Sequence, residues 1–145
     1  MKEIKERISI NDIVKRLEYL REFHGHLGPY IIMGARIAIL SNKCLGDYPF
    51  KKYVKVYTGY SPPKSCPVDG IQFFSSCTLG KNNIEIVNEG ISKAIFTLKN
   101  TKLIIELKAP INIPKNATQE EIGKIALKFL KLDDEQLFNV KILKP

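Results

Sequence analysis

The chain has 145 residues, of which 44% are hydrophobic and 26% charged, a composition typical of one globular domain spanning residues 1–145. Its formal net charge of +8 raises the question of a nucleic-acid partner. The lysines are scattered singly, however, and no basic cluster is interleaved with aromatic residues apart from the short Lys51-Lys52-Tyr53. Because a nucleic-acid interface needs a basic stripe or a known module, we expect no nucleic-acid partner.

Nothing in the sequence predicts secretion or a membrane span. The N-terminal residues mix acidic and basic side chains without the apolar run of a secretory signal. The longest apolar stretch, at 30–40, is interrupted by Gly34 and Arg36 and is too short to cross a bilayer. Three cysteines, an odd number, do not form a disulfide framework in a chain of this length. We therefore expect a cytoplasmic protein whose thiols are buried, catalytic or metal-bound.

Two helices are predicted in the first third of the chain. Asn11 and Asp12 can cap a first helix, whose apolar residues recur at helical spacing. It should end near His24-Gly25, since glycine tolerates the left-handed turn after a helix. Pro29 suits the first turn of a second helix, which should run over residues 29–42. Small side chains in this helix would let a neighbouring backbone approach closely: Gly34, Ala35 and Ala38.

The remaining predicted elements mix strands with helices. Strands are predicted where β-branched and aromatic residues concentrate: 53–60, 84–87, 93–99, 102–108 and 137–143. Pro67 would open a short helix with Val68 and Ile71 facing inward, and a capping box of Thr118 and Glu121 starts a helix that runs through residue 130. Because helices and strands do not alternate strictly, the predicted fold class is α+β, with a mixed β-sheet packed against helices.

Both histidines of the chain stand in one motif, FHGHLGPY at 23–30. Two imidazoles one residue apart, at the junction of two helices, can converge on a metal ion, because neutral imidazole is a common metal ligand. The segment before Pro29 also lies at the positive end of a helix dipole, which favours a thiolate or a bound anion. The alternative is that one of His24 and His26 caps a helix end while the other is exposed.

Cys66 and Cys77 stand in the motifs SCPVDGIQ and SCTLGKNN. Cys66 precedes a predicted helix start, where the helix dipole favours its thiolate; the alternative for each cysteine is a buried, inert thiol, and Cys44 is expected to pack in this way. Asp69 is either a helix cap or a base. The segment around Lys81 lacks the pattern of a phosphate-binding loop, so this lysine is either a cation for an anionic substrate or a solvated turn residue.

Taken in order, FHGHLGPYIIMGAR, SCPVDGIQ and SCTLGKNNI resemble the FmdE family, which is named after a subunit of formylmethanofuran dehydrogenase. The resemblance covers the core domain, without the C-terminal zinc ribbon that some members carry, and is strongest over residues 23–84. Matching residues are distributed over all three blocks: His24, Gly25, His26, Pro29, Gly34 and Arg36; Cys66, Asp69, Gly70, Ile71 and Gln72; Cys77, Thr78, Gly80, Lys81 and Asn83. Gly28 and Ser76 depart from the family pattern, which commonly has cysteine and glycine at these places.

The resemblance implies an α+β domain similar to the catalytic domain of glyceraldehyde-phosphate dehydrogenase, often a homodimer, with a pocket lined by the three blocks. It implies zinc as the cofactor, because two nitrogens and two thiolates suit tetrahedral zinc. The implied zinc ligands are His24, His26, Cys66 and Cys77. The implied catalytic residues are Cys66 and Asp69. The implied substrate-binding residues are Arg36, Gln72, Thr78 and Lys81.

Several of these roles have alternatives. Arg36 can instead pair with a carboxylate as a structural residue, and Asp69 and Gln72 can orient the metal ligands. Glycine at position 28 either opens a coordination position, as a catalytic metal site would need, or makes the site inactive.

Three functions follow from the residues and the resemblance. The first is a metal-binding domain, accessory to or descended from one of the subunits of a molybdenum or tungsten formylmethanofuran dehydrogenase, with other subunits of that enzyme as partners. The second is a small stand-alone enzyme that uses a metal-activated water or a thiolate. The third is a non-catalytic module that binds a small anionic or pterin-like ligand. The motifs indicate no nucleotide cofactor.

Overall fold

The structure, a computed structural model, describes residues 10–145, with side chains from residue 13 onward. The elements of this part are α1 (Ile10–His24), α2 (Pro29–Leu45), β1 (Lys52–Val56), α3 (Pro67–Ser75), β2 (Ile84–Ile86), β3 (Lys93–Leu98), β4 (Thr101–Leu107), α4 (Gln119–Lys131), α5 (Asp134–Leu137) and β5 (Phe138–Leu143). The predicted α+β class with a mixed sheet is confirmed. None of the helices described is long and apolar enough to cross a membrane.

The boundaries differ from the prediction at a few places. The first strand ends at Val56 and not at residue 60, because Gly59 has a φ of +91° and takes the chain away from the sheet. The short helix α5 and a 3-10 turn at Leu79–Lys81 were not predicted. Asn11 and Asp12 lie inside α1 and not before it, and their side chains lie outside the described part.

The five strands form one sheet in the order β2-β1-β3-β4-β5. β1 and β2 are parallel, with Val54 opposite Ile84, and the other neighbouring strands are antiparallel. One face carries buried residues, which are Val54, Val56, Phe96, Leu103 and Ile105. Alternate positions on the other face are exposed, as at Lys55, Lys102 and Glu106. This period of two is typical of a sheet that packs on helices with one face and meets solvent with the other.

Helix α2 lies at the centre of the molecule and is buried on both sides. On one side Met33, Ile37 and Leu40 pack with the sheet and α3. On the other side Ile31, Ala35 and Ala38 pack with α1 and α4. A helix that is covered all round needs apolar residues on every face, which explains the nearly continuous apolar stretch at 30–40.

Helices α2 and α3 cross in close contact at two glycines. A Cβ at Gly34 would overlap the carbonyl of Pro67, and a Cβ at Gly70 would lie 2.5 Å from Ile31 O and 2.6 Å from Ala35 N. Only glycine permits backbones this close. The predicted close approach is therefore confirmed at Gly34, and it fixes the first turn of α3 against the start of α2.

The capping box predicted at the start of α4 is confirmed. Glu121 N donates a hydrogen bond to Thr118 Oγ1 at 3.1 Å, and Thr118 N donates to Glu121 Oε1 at 3.1 Å. These reciprocal bonds satisfy two backbone donors that the helix itself leaves unpaired, and they explain why α4 begins at this residue.

Candidate ligand-binding site

A cavity of about 650 Å³ opens where the start of α2, the turn before α3 and the segment 111–115 meet. Its walls are mostly isoleucine and proline side chains: Pro29, Ile31, Pro62, Pro63, Ile111, Ile113, Pro114 and Ile122. The polar residues of the lining are Tyr30 and Cys66, which are half-buried, and His26, Asn112 and Lys115, which are exposed at the edge. An apolar concavity with a few polar groups is the usual form of a small-molecule site.

His24 and His26 lie side by side at the junction of α1 and α2. Gly25, with a φ of +113°, turns the chain after α1, so that the two ring centroids are 5.3 Å apart. His26 lines the cavity, whereas His24 Nδ1 lies 2.6 Å from Asp69 Oδ2 in α3. The side chain of His24 is 11% exposed and that of Asp69 is 37% exposed, so the contact is shielded on the imidazole side and open to water on the carboxylate side. A carboxylate on Nδ1 fixes the ring and leaves Nε2 for another partner, as in metal-binding and catalytic histidines.

Cys66 lies immediately before α3 and lines the cavity. The sequence predicts a thiolate favoured by the helix dipole, but burial raises the pKa of the Cys66 thiol and the charge of Asp69 raises it further. Burial also raises the pKa of the Tyr30 phenol, and the negative charge of Cys66 in its thiolate form raises it further. Burial and a neighbouring carboxylate both disfavour the charged form, which opposes the effect predicted from the helix dipole.

Gly28 lies in the cavity wall beside His26. Its backbone is extended, with φ −117° and ψ 179°, which any residue adopts. A Cβ at this position would lie 3.6 Å from His26 Cε1, an ordinary contact. Neither the backbone nor the space requires glycine here. Its effect is to leave one edge of the His26 ring open to the cavity.

Cys77 does not join the other predicted zinc ligands. It follows Ser76, whose left-handed backbone with φ +63° ends α3 and turns the chain inward. The Cys77 side chain is fully buried in the sheet core, with Sγ 3.5 Å from the carbonyl oxygen of Lys52, and burial raises the pKa of its thiol. The expectation that Cys66 and Cys77 form opposite sides of one site is not met.

The donor groups therefore do not form a complete zinc site. Within residues 10–145, no group of three or more His, Cys, Asp and Glu side chains is placed to hold a metal ion. A structural zinc site needs four protein ligands and a catalytic one needs three. Of the predicted ligands, two line the cavity, His26 and Cys66, and two are fewer than either kind of zinc site needs.

Three of the predicted substrate-binding residues lie elsewhere, at the loop 76–83 between α3 and β2. Gln72 Oε1 accepts a hydrogen bond from Leu79 N at 2.9 Å, and Lys81 Nζ donates to Thr78 Oγ1 at 2.8 Å. These residues line a second groove of about 400 Å³, which shares no lining residue with the cavity at Cys66. The structure thus gathers Gln72, Thr78 and Lys81 together, but away from the cavity.

The fourth predicted substrate-binding residue, Arg36, takes part in the packing of helices. Its guanidinium donates hydrogen bonds to Phe129 O at 2.7 Å, to Leu130 O at 3.1 Å and to Asp134 Oδ1 at 2.9 Å. These partners lie at the end of α4 and in α5, and the Arg36 side chain is mostly buried. The substrate role is corrected to the structural alternative, pairing with a carboxylate.

The segment 111–115 was missed by the sequence analysis, although it supplies one wall of the cavity. Ile111 and Ile113 alternate with polar Asn112 between two prolines. Alternation of this kind indicates an extended segment with one face buried, and it is the feature that could have revealed the wall.

The fold and the cavity define an α+β domain with a site of small-molecule size. Residues 23–139 match the family model described as FmdE, Molybdenum formylmethanofuran dehydrogenase operon. Because this match covers most of the chain, the protein belongs to the FmdE family.

Two individual proteins are similar to this chain. One is the "Probable S-adenosyl-L-methionine-binding protein" of Archaeoglobus fulgidus, 24% identical over 126 residues, which are 86% of this chain and 31% of that protein. The chain thus spans about a third of that relative. The other is an FmdE-like protein from Syntrophus aciditrophicus, named after the tungsten formylmethanofuran dehydrogenase. Its crystal structure matches with a TM-score of 0.61 and 19% identity, covering 92% of this chain and 72% of that one. The second likeness shows a shared fold.

Proposed function

We propose that the domain binds a small organic molecule in the cavity at His26 and Cys66. The observation that carries this proposal is the cavity itself, about 650 Å³ in volume, with apolar walls and an imidazole, a phenol and a thiol in its lining. Ligand sites typically measure about 300–1,000 Å³ and combine apolar walls with a few polar groups that orient the ligand.

The lining favours a flat ring system that carries an acidic group. Isoleucine and proline side chains offer surfaces for a ring system such as a pterin, and His26 offers a hydrogen-bonding nitrogen. Lys115 at the exposed edge offers a cation, and the net charge of +8 attracts anions. The name of the Archaeoglobus relative adds S-adenosyl-L-methionine as a second ligand to test.

A thiol-dependent enzyme receives less support from the same groups. Burial and Asp69 raise the pKa of the Cys66 thiol, so it is protonated at neutral pH. A nucleophilic cysteine needs its thiolate, and among the residues described no cation lowers this pKa. We therefore give Cys66 the role of a ligand contact and Asp69 the role of orienting His24.

Thermal unfolding in the presence of pterins, S-adenosyl-L-methionine and uncharged analogues of each tests the proposal. A ligand at a hundred times its Kd adds about 2.7 kcal/mol to stability, which raises the melting temperature by several degrees. Ile113→Trp would narrow the cavity at one wall and should weaken the shift strongly. Val140→Ser, on the exposed strand β5, is the control and should preserve it. No shift with any of these ligands, or a shift that is undiminished in Ile113→Trp, contradicts the proposal.

A second candidate function is metal binding at the same cavity, and the contact between His24 and Asp69 favours it. A metal-bound histidine commonly has its other ring nitrogen on a carboxylate. His24 would supply the Nε2 that this contact leaves free, and Cys66, whose thiol lies within the influence of the same Asp69, would supply a sulfur donor. The ligand or water would have to complete the coordination of zinc.

Elemental analysis of protein purified without a histidine tag tests zinc binding. About one zinc per chain, lost in Cys66→Ser but retained in Cys77→Ser, would support it. Zinc that is absent from the wild type after reconstitution, or that depends on Cys77, would contradict it. Melting temperatures of both variants control for folding.

We further propose that the domain serves as an accessory to a formylmethanofuran dehydrogenase. The description of the family names the operon of the molybdenum enzyme, and the Syntrophus protein is named after the tungsten enzyme. Co-expression with the other dehydrogenase subunits and gel filtration would test this. Co-elution in a defined stoichiometry is the expected result, and separate elution would contradict it.

A further inference from the structure

Large apolar side chains gather on the surface around the loop 76–83, away from the cavity. Leu79 is 78% exposed, Phe50 86% and Phe23 60%. Phe23 packs against Phe73 with ring centroids 6.4 Å apart, and both line a groove with Leu79. Lys81 connects Phe50 to this group, because its Nζ lies 5.6 Å from the centroid of the Phe50 ring. We call these five residues the loop patch.

Hydrogen bonds hold the loop patch in one arrangement. Leu79 N donates to Gln72 Oε1 at 2.9 Å, and Asn83 Nδ2 donates to Pro49 O at 2.7 Å, which ties the loop to the residue before Phe50. An exposed loop can satisfy its polar groups with water alone. Here internal side chains fix the backbone, and the result is that a leucine and a phenylalanine are held outward.

The backbone at both ends of the loop supports the same conclusion. Ser76 and Asn82 adopt left-handed conformations with φ of +63° and +56°. Asparagine adopts this conformation readily, whereas it is unfavourable for serine and persists at Ser76 where the surrounding contacts require it. The loop is therefore pre-organised, which lowers the entropy lost on binding a partner.

The charge at the groove of the loop patch is positive, because Lys81 is the charged residue of its lining. Lys51 follows Phe50, whereas Glu22 precedes Phe23 and the charge of Asp47 acts on the Arg16 guanidinium beside Phe73. None of the residues that line the groove is acidic. A second copy of this chain, with a net charge of +8, would bring like charge towards the patch, whereas an acidic surface would complement it.

We propose that the loop patch is a docking site for an acidic segment of a partner protein, whose apolar side chains pack in the groove against Phe23, Phe73 and Leu79 and whose carboxylates pair with Lys81. Protruding aromatic and aliphatic side chains on a rigid support are typical anchors of protein interfaces. This role accounts for Thr78, Lys81 and Asn83 of the third sequence block, which lie outside the cavity. It does not depend on a ligand in the cavity.

Selection of a random phage-displayed peptide library on the immobilised full-length chain tests the proposal. We expect enriched peptides to combine apolar residues with Asp or Glu, and their affinity to fall about tenfold or more in Leu79→Ser and in Lys81→Glu. Leu79 is exposed, so the fold should persist, which melting temperatures check. Val140→Ser on strand β5, at the far edge of the sheet, is the matched control and should leave binding unchanged.

Three results would overturn the proposal. The first is no enrichment, or enrichment of peptides without acidic residues. The second is binding that survives Leu79→Ser. The third is Leu79-dependent binding to vesicles of anionic phospholipid or Leu79-dependent self-association in light scattering, because these would assign the loop patch to a membrane or to a second copy of the chain.

Discussion

Asp69 connects the two halves of the candidate site, because it contacts His24 Nδ1 and raises the pKa of the Cys66 thiol. Without the charge of Asp69 the pKa of the Cys66 thiol should fall. At a fixed pH below the pKa, each unit by which the pKa falls raises the thiolate fraction about tenfold. We expect Asp69→Asn to speed the alkylation of Cys66 by iodoacetamide about two- to tenfold near neutral pH. Peptide mapping by mass spectrometry distinguishes Cys66 from Cys44.

Glu106→Gln serves as the control for this experiment, because Glu106 is an exposed carboxylate on the solvent face of the sheet. Its removal should leave the alkylation rate of Cys66 unchanged. Equal rates in wild type and Asp69→Asn would mean that burial alone sets the pKa of Cys66.

Lys52 is a charged residue in the core, only 1% exposed. Its Nζ donates to Asn42 Oδ1 at 2.6 Å, to Gly46 O at 2.8 Å and to Ser41 Oγ at 3.3 Å. These three acceptors match the three ammonium donors, yet burial lowers the pKa of Lys52 from 10.5 to about 8. Folding therefore favours the neutral amine relative to the unfolded chain.

The lowered pKa of Lys52 predicts a dependence of stability on pH. Between pH 8 and 10.5 the unfolded chain binds a proton that the folded chain has released, so stability increases with pH in this window. We expect the unfolding free energy of the wild type minus that of Lys52→Met to rise by about 2 kcal/mol between about pH 7 and 10. Urea unfolding at several pH values measures it. Lys55→Met, on the exposed face of the same strand, should show no such trend, and a constant difference for Lys52→Met would refute the prediction.

At the scale of elements, the crossing of α2 and α3 depends on the absence of side chains. A Cβ at Gly34 would overlap the Pro67 carbonyl, so we expect Gly34→Ala to lower the unfolding free energy by about 1–3 kcal/mol. Gly123 in α4 is the matched control, because a Cβ there meets nothing within 4 Å. Gly123→Ala should stabilise by about 0.5–1 kcal/mol through helix propensity. Denaturant unfolding compares them, and the same sign of effect in both would contradict this account.

Elements with a local pattern were predictable from the sequence, and elements fixed by distant contacts were not. The helix α2 follows from Pro29 and a long apolar run, and α4 from its capping box. The short helix α5 has no such run, and its one local signal, a capping box of Asp133 with Gln136, spans only four residues. Its Asp134 pairs with Arg36, which is 98 positions away, so the sequence around α5 does not reveal the interaction.

The same distinction holds at the candidate site. The motifs indicated that His26 and Cys66 matter, and both line the cavity. The order of motifs along the chain does not give the direction of a side chain, however. The left-handed backbone of Ser76 turns Cys77 into the core. Glycine would have indicated such a turn, but position 76 is serine.

At the scale of the whole molecule, the C-terminal third closes the fold over α2. The segment 111–115 forms a wall of the cavity, and Ala126 of α4 packs in the cluster around α2. Arg36 joins α2 to the end of α4 and to Asp134 at the start of α5. The cavity is therefore complete only when both ends of the domain have packed together.

Arg36→Met tests how this closure is held. It removes a mostly buried cation together with its three hydrogen bonds and leaves Asp134 without this partner. We therefore expect the unfolding free energy to fall by about 2–4 kcal/mol. Amide hydrogen exchange should quicken in α4 and α5 but not in β1 and β3, because the ladder between these strands does not involve Arg36. Arg21→Met removes an exposed pair with Glu18 and should cost less than about 0.5 kcal/mol. If Arg36→Met instead abolished ligand binding while stability and exchange stayed unchanged, Arg36 would be a substrate residue, as the family resemblance implies, and not the residue that holds the C-terminal third in place.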